Sequence, residues 1–417
     1  MSDPRREPWL IDEAEFYEIE DSRAQKEFLL RYAVLAPSGH NTQPWSFRIT
    51  DEGIEVAADY TRRLPIADAG DRELMISIGA AITNLRVAAA HFGFESTVLY
   101  EDDGALVALR ETCKPDEQLC QLFSAITKRH TNRTEFDRRG IDPETLDRLC
   151  GVVDESDLTR FIAPTDRARA AELVERADHV LLADEKWRNE LAEWVRPNES
   201  DETDGMNGDA FGIPGPLAAF APFLVRNFDL GEARGKSDRL LAEHAAGLIV
   251  ITGDDDPTAL IRAGETLERL LLVVTSLGVQ YAFLNQPVQV PALRRELWSL
   301  IRTPKPPQLL LRVGYAPPVR RAMPRRTVAA VTFSASLHRD HVPQQIVQPR
   351  NASRDRRCCR TDVRSEGAHF VIPTLRTRRA SPRTSSTPRT TYRSWRNPRR
   401  SLRGTRRTRR GMSTSRA

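Results

Sequence analysis

The chain has 417 residues, which is enough for a large core and one or two domains. Its formal net charge of +4 is spread unevenly, because residues 333–417 contain 22 Arg, no Lys and 4 acidic residues. Residues 1–332 therefore carry 40 basic and 54 acidic side chains, a balance of −14. A net negative charge argues against nucleic-acid binding by residues 1–332. Only the last 85 residues of the sequence suggest a nucleic-acid partner.

The sequence also lacks the usual signs of a membrane protein or a secreted one. No run approaches the roughly 18 apolar residues of a membrane helix, and the polar start MSDPRREPWL is unlike a signal peptide. Cys113, Cys120 and Cys150 show neither a CxxC motif nor Cys/His metal spacing, and Cys358 and Cys359 lie in the tail. Scattered thiols are typical of a reducing compartment. We therefore expect a cytoplasmic protein without a metal site.

The first 115 residues predict a set of helices and strands. A helix capped by Asp21 or Ser22 presents one apolar face. A second, longer helix carries an apolar stripe from Leu74 to Ala89. Alternating apolar residues predict strands at IEVAADY, STVLY and ALVALRE, residues 54–60, 96–100 and 105–111.

The pattern starts again near residue 111. Helices are predicted at 118–126, 143–153, 165–195 and 257–277, and strands at AGLIVITG and PQLLLRVGY, residues 246–253 and 307–315. A stretch rich in Gly, Pro, Asn and acids, residues 195–216, interrupts them, and loops this long are usually functional or disordered. We predict an α+β fold of two fused halves, 1–115 and 116–332, each a mixed β-sheet flanked by helices.

Residues 333–417 form a tail of different composition. It has almost no apolar periodicity and many Ser, Thr and Pro residues, which predicts disorder. A basic arm for nucleic acid is the alternative, but aromatic residues are few and no nucleic-acid-binding motif accompanies them. Lysine-free arginine runs also arise when a GC-rich gene is translated out of frame. We assign no function to this tail.

Three polar stretches of the body concentrate residue types that bind anions and rings. LAPSGHNTQPW, residues 35–45, is consistent with a surface turn or with a rigid polar loop against a flat ligand. In KRHTNR, two arginines flank a hydroxyl at alternate positions 129, 131 and 133, which suits a phosphate dianion. AMPRRTVAAV, residues 322–331, adds an arginine pair. Each basic stretch alone is more often a solvated turn, but together with the loop they indicate a phosphate attached to a polar ring system.

Four motifs, in their order, give the chain a family resemblance. APSGHNTQPW, RHTNRTEF, LLLRVGYAPP and PRR together resemble the nitroreductase family of FMN-dependent oxidoreductases, over residues from about Lys26 to Val331. The chain is most similar to double-length members, in which two family-like halves are fused. In ordinary members one subunit supplies basic phosphate-binding segments and the other a Pro-Ser-x-x-Asn loop. Here the loop is in the first half and the basic segments are in the second. The resemblance thus implies one FMN site in a monomer that contains an internal pseudo-dimer.

The basic residues that match the family's motifs imply a phosphate site. The residues that would hold the FMN phosphate are Arg129, Thr131, Arg325 and Arg326. Arg133 would lie near flavin N1 and the C2 carbonyl, where a positive charge favours the reduced, anionic flavin. Thr131 stands where the family usually has Ser, which keeps the hydroxyl.

The resemblance also implies which residues line the flavin ring. Those from the first half are Pro37, Ser38, Gly39 and Asn41, with Gln43 and Trp45 packed behind the loop. LNQPVQ falls where the family presents a backbone N–H to flavin N5, and its candidates are Asn285, Gln286, Pro287 and Val288. Gly39 stands where the family has a second Ser.

The implied activity is that of an enzyme in which NAD(P)H reduces FMN and an electron-poor nitroaromatic or quinone takes the electrons. Because the cofactor performs the hydride chemistry, no acid/base dyad is required of the protein. His40 lies within the loop motif and is a candidate to contact substrate. The alternative is a protein that binds or sequesters FMN under a closed lid, residues 195–216, with little turnover. A nucleic-acid-associated protein is a third hypothesis, which rests on the tail alone.

Overall fold

The structure is a computed structural model that describes residues 7–155, 158–198, 200–208, 218–319 and 321–333. The predicted tail lies outside the described residues from position 334 onward. Residues 199 and 209–216 of the predicted lid also lie outside them. The helices are Ala14–Tyr17 (α1), Ser22–Ala33 (α2), Arg72–His91 (α3), Glu117–Cys120 (α4), Phe123–Ile126 (α5), Pro143–Glu155 (α6), Arg167–Ala183 (α7), Glu185–Glu193 (α8), Ala221–Asn227 (α9), Gly231–His244 (α10), Pro257–Ser276 (α11), Gln286–Gln289 (α12), Pro291–Ile301 (α13) and Val328–Val331 (α14). The strands are Trp45–Ile49 (β1), Gly53–Ala58 (β2), Phe94–Glu101 (β3), Gly104–Glu111 (β4), Thr159–Phe161 (β5), Val195–Arg196 (β6), Met206–Asn207 (β7), Gly247–Thr252 (β8), Gln280–Phe283 (β9) and Pro307–Gly314 (β10).

The predicted helices are present, and two of them are divided. The side chain of Asp21 caps α2 by accepting a hydrogen bond from the N–H of Ala24 at 2.7 Å. The helix predicted over 165–195 is interrupted at Asp184, whose backbone is extended and whose side chain caps α8. The helix predicted over 118–126 consists of α4 and α5. Strands β1, β5, β6, β7 and β9 were not predicted, because strands of two to five residues show too few alternations to be recognised.

The first sheet has the order β1-β2-β4-β3, and its strand pairs are antiparallel. Val107 of β4 pairs with Ile54 on one side and with Val98 on the other. The short connections between β1 and β2 and between β3 and β4 allow only antiparallel pairing. A parallel bridge from Thr332 to Phe47 extends the outer edge of β1.

The second sheet has the order β5-β8-β10-β9, and its strand pairs are also antiparallel. The α+β class is therefore confirmed, but the predicted mixed sheets need correction. Strands β8 and β9 are joined by the crossover helix α11 and run in the same direction. Strand β10 inserts between them in the opposite direction, so no parallel ladder forms among the described strands of this sheet. Apolar alternation gives no information about which strand becomes the neighbour.

Helices α3 and α11 cross at the centre of the main core, which contains residues of both sheets. A Cβ at Gly79 would lie 1.9 Å from the carbonyl oxygen of Ile261, and one at Gly264 would lie 2.0 Å from that of Ile76. Only glycine permits this approach of two backbones. Helix α3 is long and apolar enough to span a membrane, but 89% of its apolar window is buried within the protein, as in a core helix. The division into two halves, which meet at this crossing, stays a prediction.

Candidate functional site

Two neighbouring cavities lie where loop 37–43 meets residues that follow α5. The large cavity has a volume of about 490 Å³ and the small cavity about 70 Å³. The larger volume is within the range of small-molecule sites. Both cavities are lined by Pro37, Ser38, Arg133, Met206 and Phe283. They therefore form one wide chamber with a narrow side compartment.

Loop 37–43 forms a wall of both cavities. Its backbone φ angles are 49° at His40, 56° at Asn41 and 53° at Gln43, in the left-handed region that few residues other than glycine and asparagine adopt readily. The loop is closed on itself, because Oγ of Ser38 accepts a hydrogen bond of 2.9 Å from the N–H of Gln43. Asn41 and Gln43 are buried. The loop is thus a buried wall and not a surface turn. Trp45, the first residue of β1, is also buried.

The segment that carries Arg129, Thr131 and Arg133 lies beside β9. The N–H of Asn132 donates a hydrogen bond of 2.9 Å to the carbonyl oxygen of Tyr281, which fixes the segment against that strand. The Asn132 side chain makes its own hydrogen bonds, including one of 2.9 Å to the carbonyl of Pro317. Arg129, Thr131 and Arg133 all line the small cavity. The alternation noted in the sequence therefore brings two guanidiniums and a hydroxyl together.

Arg129 is held by protein groups. Its Nε lies 2.9 Å from Oε1 of Glu268, and both side chains are buried. Its Nη1 donates a hydrogen bond of 2.6 Å to the hydroxyl of Tyr281, and its Nη2 donates one of 2.5 Å to the carbonyl oxygen of Leu35. Burial raises the pKa of Glu268 to about 7, although Arg129 acts in the opposite direction. The carboxylate that balances Arg129 is therefore only partly ionised near pH 7.

Arg325 adds a positive charge that no described ion pair balances. Its Nη1 donates a hydrogen bond of 2.8 Å to Oδ1 of Asn41, and its Nη2 donates one of 3.2 Å to the carbonyl oxygen of Leu35. Its Nε is buried without a described hydrogen-bond partner. Burial first, and then the nearby Arg129, lower the pKa of Arg325 to about 9. The small cavity therefore has a surplus of positive charge, which suits an anion.

Arg133 lies where the two cavities meet. The hydrogen-bond contact described for its guanidinium is a weak one, from Nη2 to Sδ of Met206 at 3.8 Å. Burial, followed by repulsion from Arg234, lowers the pKa of Arg133 to about 10, so it is charged at pH 7. His40 lines the large cavity nearby, and burial together with Arg133 lowers its pKa to about 4. His40 is therefore neutral at pH 7.

Arg326 is directed away from both cavities. Its Nη1 donates a hydrogen bond of 3.2 Å to the carbonyl oxygen of Gln43 and lies 3.7 Å from Oδ2 of Asp59. Its Nη2 donates to the carbonyl oxygen of Ala330 at 2.7 Å. Arg326 is not among the described residues that line either cavity. The structure thus places it behind loop 37–43, and does not bring it together with Arg129 and Arg325.

The segment 285–288 reaches the large cavity with its first two residues only. Asn285 and Gln286 line that cavity, whereas Pro287 and Val288 are buried and are not among its described lining residues. Val288 packs in the second hydrophobic cluster together with Leu310. Oδ1 of Asn285 accepts a hydrogen bond of 3.1 Å from the N–H of Leu310, which fixes the turn after β9.

The described part of the predicted lid is attached to loop 37–43. Nδ2 of Asn41 donates a hydrogen bond of 2.8 Å to the carbonyl oxygen of Gly205. Nε2 of Gln43 donates one of 2.9 Å to that of Thr203. These contacts place Met206 in the lining of both cavities.

Several residues of the large cavity were not identified from the sequence. Phe283 comes from β9, and three charged residues come from helices: Glu73 of α3, Asp178 of α7 and Arg234 of α10. The alternation in QYAF was the only signal for Phe283. The sequence of an amphipathic helix does not show which of its polar residues face a cavity. Glu73, Asp178 and Arg234 could therefore not be identified from the sequence.

Comparison with known proteins finds relatives that are similar to about two thirds of the chain. A "Putative NAD(P)H nitroreductase" of Mycobacterium tuberculosis strain H37Rv is 29% identical over 305 residues, which covers 69% of this chain and 84% of the relative. The "Probable NAD(P)H nitroreductase PigM" of a Serratia strain is 25% identical over 314 residues, 68% of this chain and 86% of the relative. A nitroreductase with bound FMN from Bacteroides fragilis covers 52% of this chain and 96% of its own, with 17% identity and a TM-score of 0.30.

No protein-family model matches the chain. The two relatives nevertheless confirm the resemblance to nitroreductases that the motifs predicted. Their names are those of NAD(P)H-dependent oxidoreductases, the class of enzyme expected from the sequence. The double-length arrangement stays a prediction.

Proposed function

We propose that the chain is a cytoplasmic FMN-dependent oxidoreductase that passes electrons from NAD(P)H to an electron-poor small molecule, such as a nitroaromatic or a quinone. The observation that carries this proposal is the pair of adjoining cavities, the smaller of which measures about 70 Å³ and is lined by arginines. That volume is several times the roughly 10–15 Å³ that one water molecule needs in a cavity, and it suits a phosphate group. FMN combines a terminal phosphate with a flat polar ring system.

The residues of the small cavity fit the phosphate of FMN. Arg325 and Arg129 line this cavity and are buried near Glu268, so two guanidiniums share one partly ionised carboxylate. The buried Nε of Arg325 lacks a described partner and is available to an anion. In our proposal Arg129, Thr131 and Arg325 hold the phosphate, and Asn41 orients Arg325. Charge-assisted hydrogen bonds of this kind are among the strongest in proteins.

The large cavity fits the ring system. In our proposal Pro37, Ser38 and Gly39 line one side of the ring, and Asn285 and Gln286 lie on the other side of the chamber. When bound, FMN supplies the hydride-transfer chemistry, while the protein binds the ring, excludes water and provides charge.

Arg133 is the residue proposed to supply that charge. It remains positive at pH 7 and has only a sulfur contact described for its guanidinium, so it is free to pair with negative charge on the reduced ring. His40 is neutral at pH 7 because of its lowered pKa and adds no competing charge.

The lining of the chamber favours an aromatic acceptor. Apolar and aromatic side chains from α8, α9 and the turn before α10 face it, namely Trp187, Leu191, Val225 and Leu230. Flat apolar rings with polar substituents, as in nitroaromatics and quinones, match such a surface.

We also propose that one chain suffices for the site. Pro37 and Ser38 belong to the first half, and Arg129 and Thr131 belong to the second, yet all four line one cavity. The fused halves then take the place of the two subunits of an ordinary dimer, and a monomer is functional.

The alternative function, FMN binding with little turnover, is favoured by one observation. The hydrogen bonds from Asn41 and Gln43 to Gly205 and Thr203 hold part of the predicted lid against the cavity wall. A lid held in this way would restrict the access of NAD(P)H.

Stopped-flow mixing of the FMN-loaded chain with NADH or NADPH distinguishes the two functions. We expect reduction of the flavin on the timescale of turnover, followed by reoxidation by 1,4-benzoquinone. Binding of FMN without reduction by either nucleotide would establish the alternative and overturn the proposed reductase.

A further inference from the structure

Two buried carboxylates lie close to the large cavity, and one of them, Asp178, forms part of its wall. Asp178 of α7 is 4% exposed and Asp238 of α10 is 1% exposed. The two helices pack closely, since a Cβ at Gly235 of α10 would lie 2.9 Å from the carbonyl oxygen of Glu175 in α7. We call Asp178 and Asp238 the acid pair. Asp178 itself lines the cavity, beside Arg234.

The acid pair has fewer hydrogen-bond donors than two ionised carboxylates need. Oδ2 of Asp238 accepts hydrogen bonds from Nε of Arg234 and from Nε2 of Gln286, each at 2.9 Å. Oδ1 of Asp238 and Oδ2 of Asp178 are buried and have no described partner. Two neighbouring carboxylates buried near one ion-paired arginine are most stable when one of them is protonated, because two negative charges in a buried site repel each other.

Burial and the neighbouring carboxylate favour protonation of Asp178, whereas the nearby Arg234 opposes it. Arg234 lowers the pKa of both Asp178 and Asp238, and Arg312 of β10, which Arg133 repels, lowers the pKa of Asp238. Burial first, and then Asp238, raise the pKa of Asp178 to about 8, while Arg234 opposes them. Burial also raises the pKa of Asp238. At pH 7 the wall of the large cavity therefore holds an exchangeable proton at Asp178.

Reduction of a quinone to a hydroquinone takes up two electrons and two protons. In the proposed function, on which this inference rests, NAD(P)H provides the electron pair with one hydrogen, and a second proton must come from another donor. We propose that Asp178 is that donor. The O–H bond of its carboxyl group breaks as an O–H bond forms on the acceptor oxygen. Asp178 is left as a carboxylate, which Arg234 stabilises until solvent returns a proton. Asp238 acts through Asp178 as a positioning residue.

The variant Asp178→Asn keeps the shape of the side chain and removes its acidic proton. The exposed residue Glu172 on the same helix gives a matched control, Glu172→Gln. Turnover is measured with 1,4-benzoquinone, which takes up protons, and with ferricyanide, which takes up electrons alone. We expect the ratio of the quinone rate to the ferricyanide rate to fall about 100-fold in Asp178→Asn, a typical loss for a general acid. The control should keep the wild-type ratio.

The pH profile gives a second kinetic readout. A proton donor acts in its protonated form, so the quinone rate of the wild type should fall as the pH rises through about 8. Asp178→Asn should lack this fall. An unchanged rate ratio, or the same fall in Asp178→Asn, would overturn the assignment.

A measurement without flavin separates this inference from the proposed function. Carbon-13 NMR of Asp carboxyl groups in the cofactor-free chain should show one group that titrates near pH 8. That group should be missing in Asp178→Asn and should titrate at lower pH in Asp238→Asn, where the neighbouring negative charge is gone. If Asp178 titrates near the ordinary value of about 3.9, the inference fails even if FMN binds. Because this NMR titration uses the cofactor-free chain, its result does not depend on whether the chain binds FMN.

Discussion

Nη1 of Arg325 donates a hydrogen bond of 2.8 Å to Oδ1 of Asn41, a residue 284 positions earlier in the chain. Both side chains are buried, and both line the small cavity. The contact joins loop 37–43 to the segment that follows β10. The proposed phosphate site therefore depends on residues from both predicted halves.

Replacing Arg325 should weaken FMN more than riboflavin, which lacks the phosphate. Loss of a charge-assisted hydrogen bond typically costs about 1.5–3 kcal/mol, so Arg325→Ala should lower the FMN affinity roughly 10- to 100-fold. Titration calorimetry with both flavins measures the difference.

The neighbouring residue supplies the control for that experiment. Arg326 contacts Asp59 and lines neither cavity among the described residues, so Arg326→Ala should not distinguish FMN from riboflavin. An equal loss of both flavins in Arg325→Ala would show that Arg325 supports folding and does not bind phosphate.

Replacing Arg133 should change the redox potential of the bound flavin. Removal of a positive charge disfavours the anionic reduced ring, so Arg133→Gln should lower the midpoint potential. A shift of at least about 30 mV, equivalent to about 1.4 kcal/mol for two electrons, is expected. Equilibration with a reference dye measures it, and Arg326→Gln serves as the control. A potential that is unchanged or raised would contradict the role given to Arg133.

Loosening the described part of the lid tests the sequestering alternative. Asp204 forms ion pairs with Arg196 at 2.9 Å and with Arg62. Asp204→Asn weakens both contacts and removes no proposed phosphate ligand, so FMN affinity should change little. In the proposed reductase the route for NAD(P)H is already open, so the rate of flavin reduction in Asp204→Asn should not rise. A marked acceleration in stopped-flow measurements would favour a flavin store.

The crossing of α3 and α11 should not tolerate a methyl group. Gly264→Ala places Cβ 2.0 Å from the carbonyl oxygen of Ile76, and backbone cannot move aside as a side chain can. We expect a loss of about 3 kcal/mol in the free energy of unfolding, at the upper end of the usual cost of overpacking. Gly151 of α6 has open space around its Cβ position, so Gly151→Ala should raise stability by up to about 1 kcal/mol. Denaturant titration compares the two, and equal effects would contradict the close crossing.

Sequence reasoning succeeded where a local pattern determines geometry. Asp21 capped its helix as predicted, and the alternation of Arg129, Thr131 and Arg133 brought all three to one cavity. It failed where geometry depends on distant partners. Arg326 follows Arg325 directly, yet the two side chains point in different directions, because Gln43 and Asp59 hold the side chain of Arg326.

The acid pair and the sheet order show the same limit. Asp178 and Asp238 are 60 positions apart on two helices, and neither helix by itself reveals that the carboxylates share a buried site. The insertion of β10 between β8 and β9 likewise depends on long-range pairing, which apolar alternation does not encode.

Titration of the cofactor-free chain with FMN, followed by anaerobic addition of NADH or NADPH, tests the proposed function most directly. We predict one FMN per chain, retained by a monomer in gel filtration, and loss of the oxidised flavin absorbance after the nucleotide is added. Two FMN per chain, retention only in a dimer, or flavin that stays oxidised would contradict a reductase site assembled from the two halves of one chain.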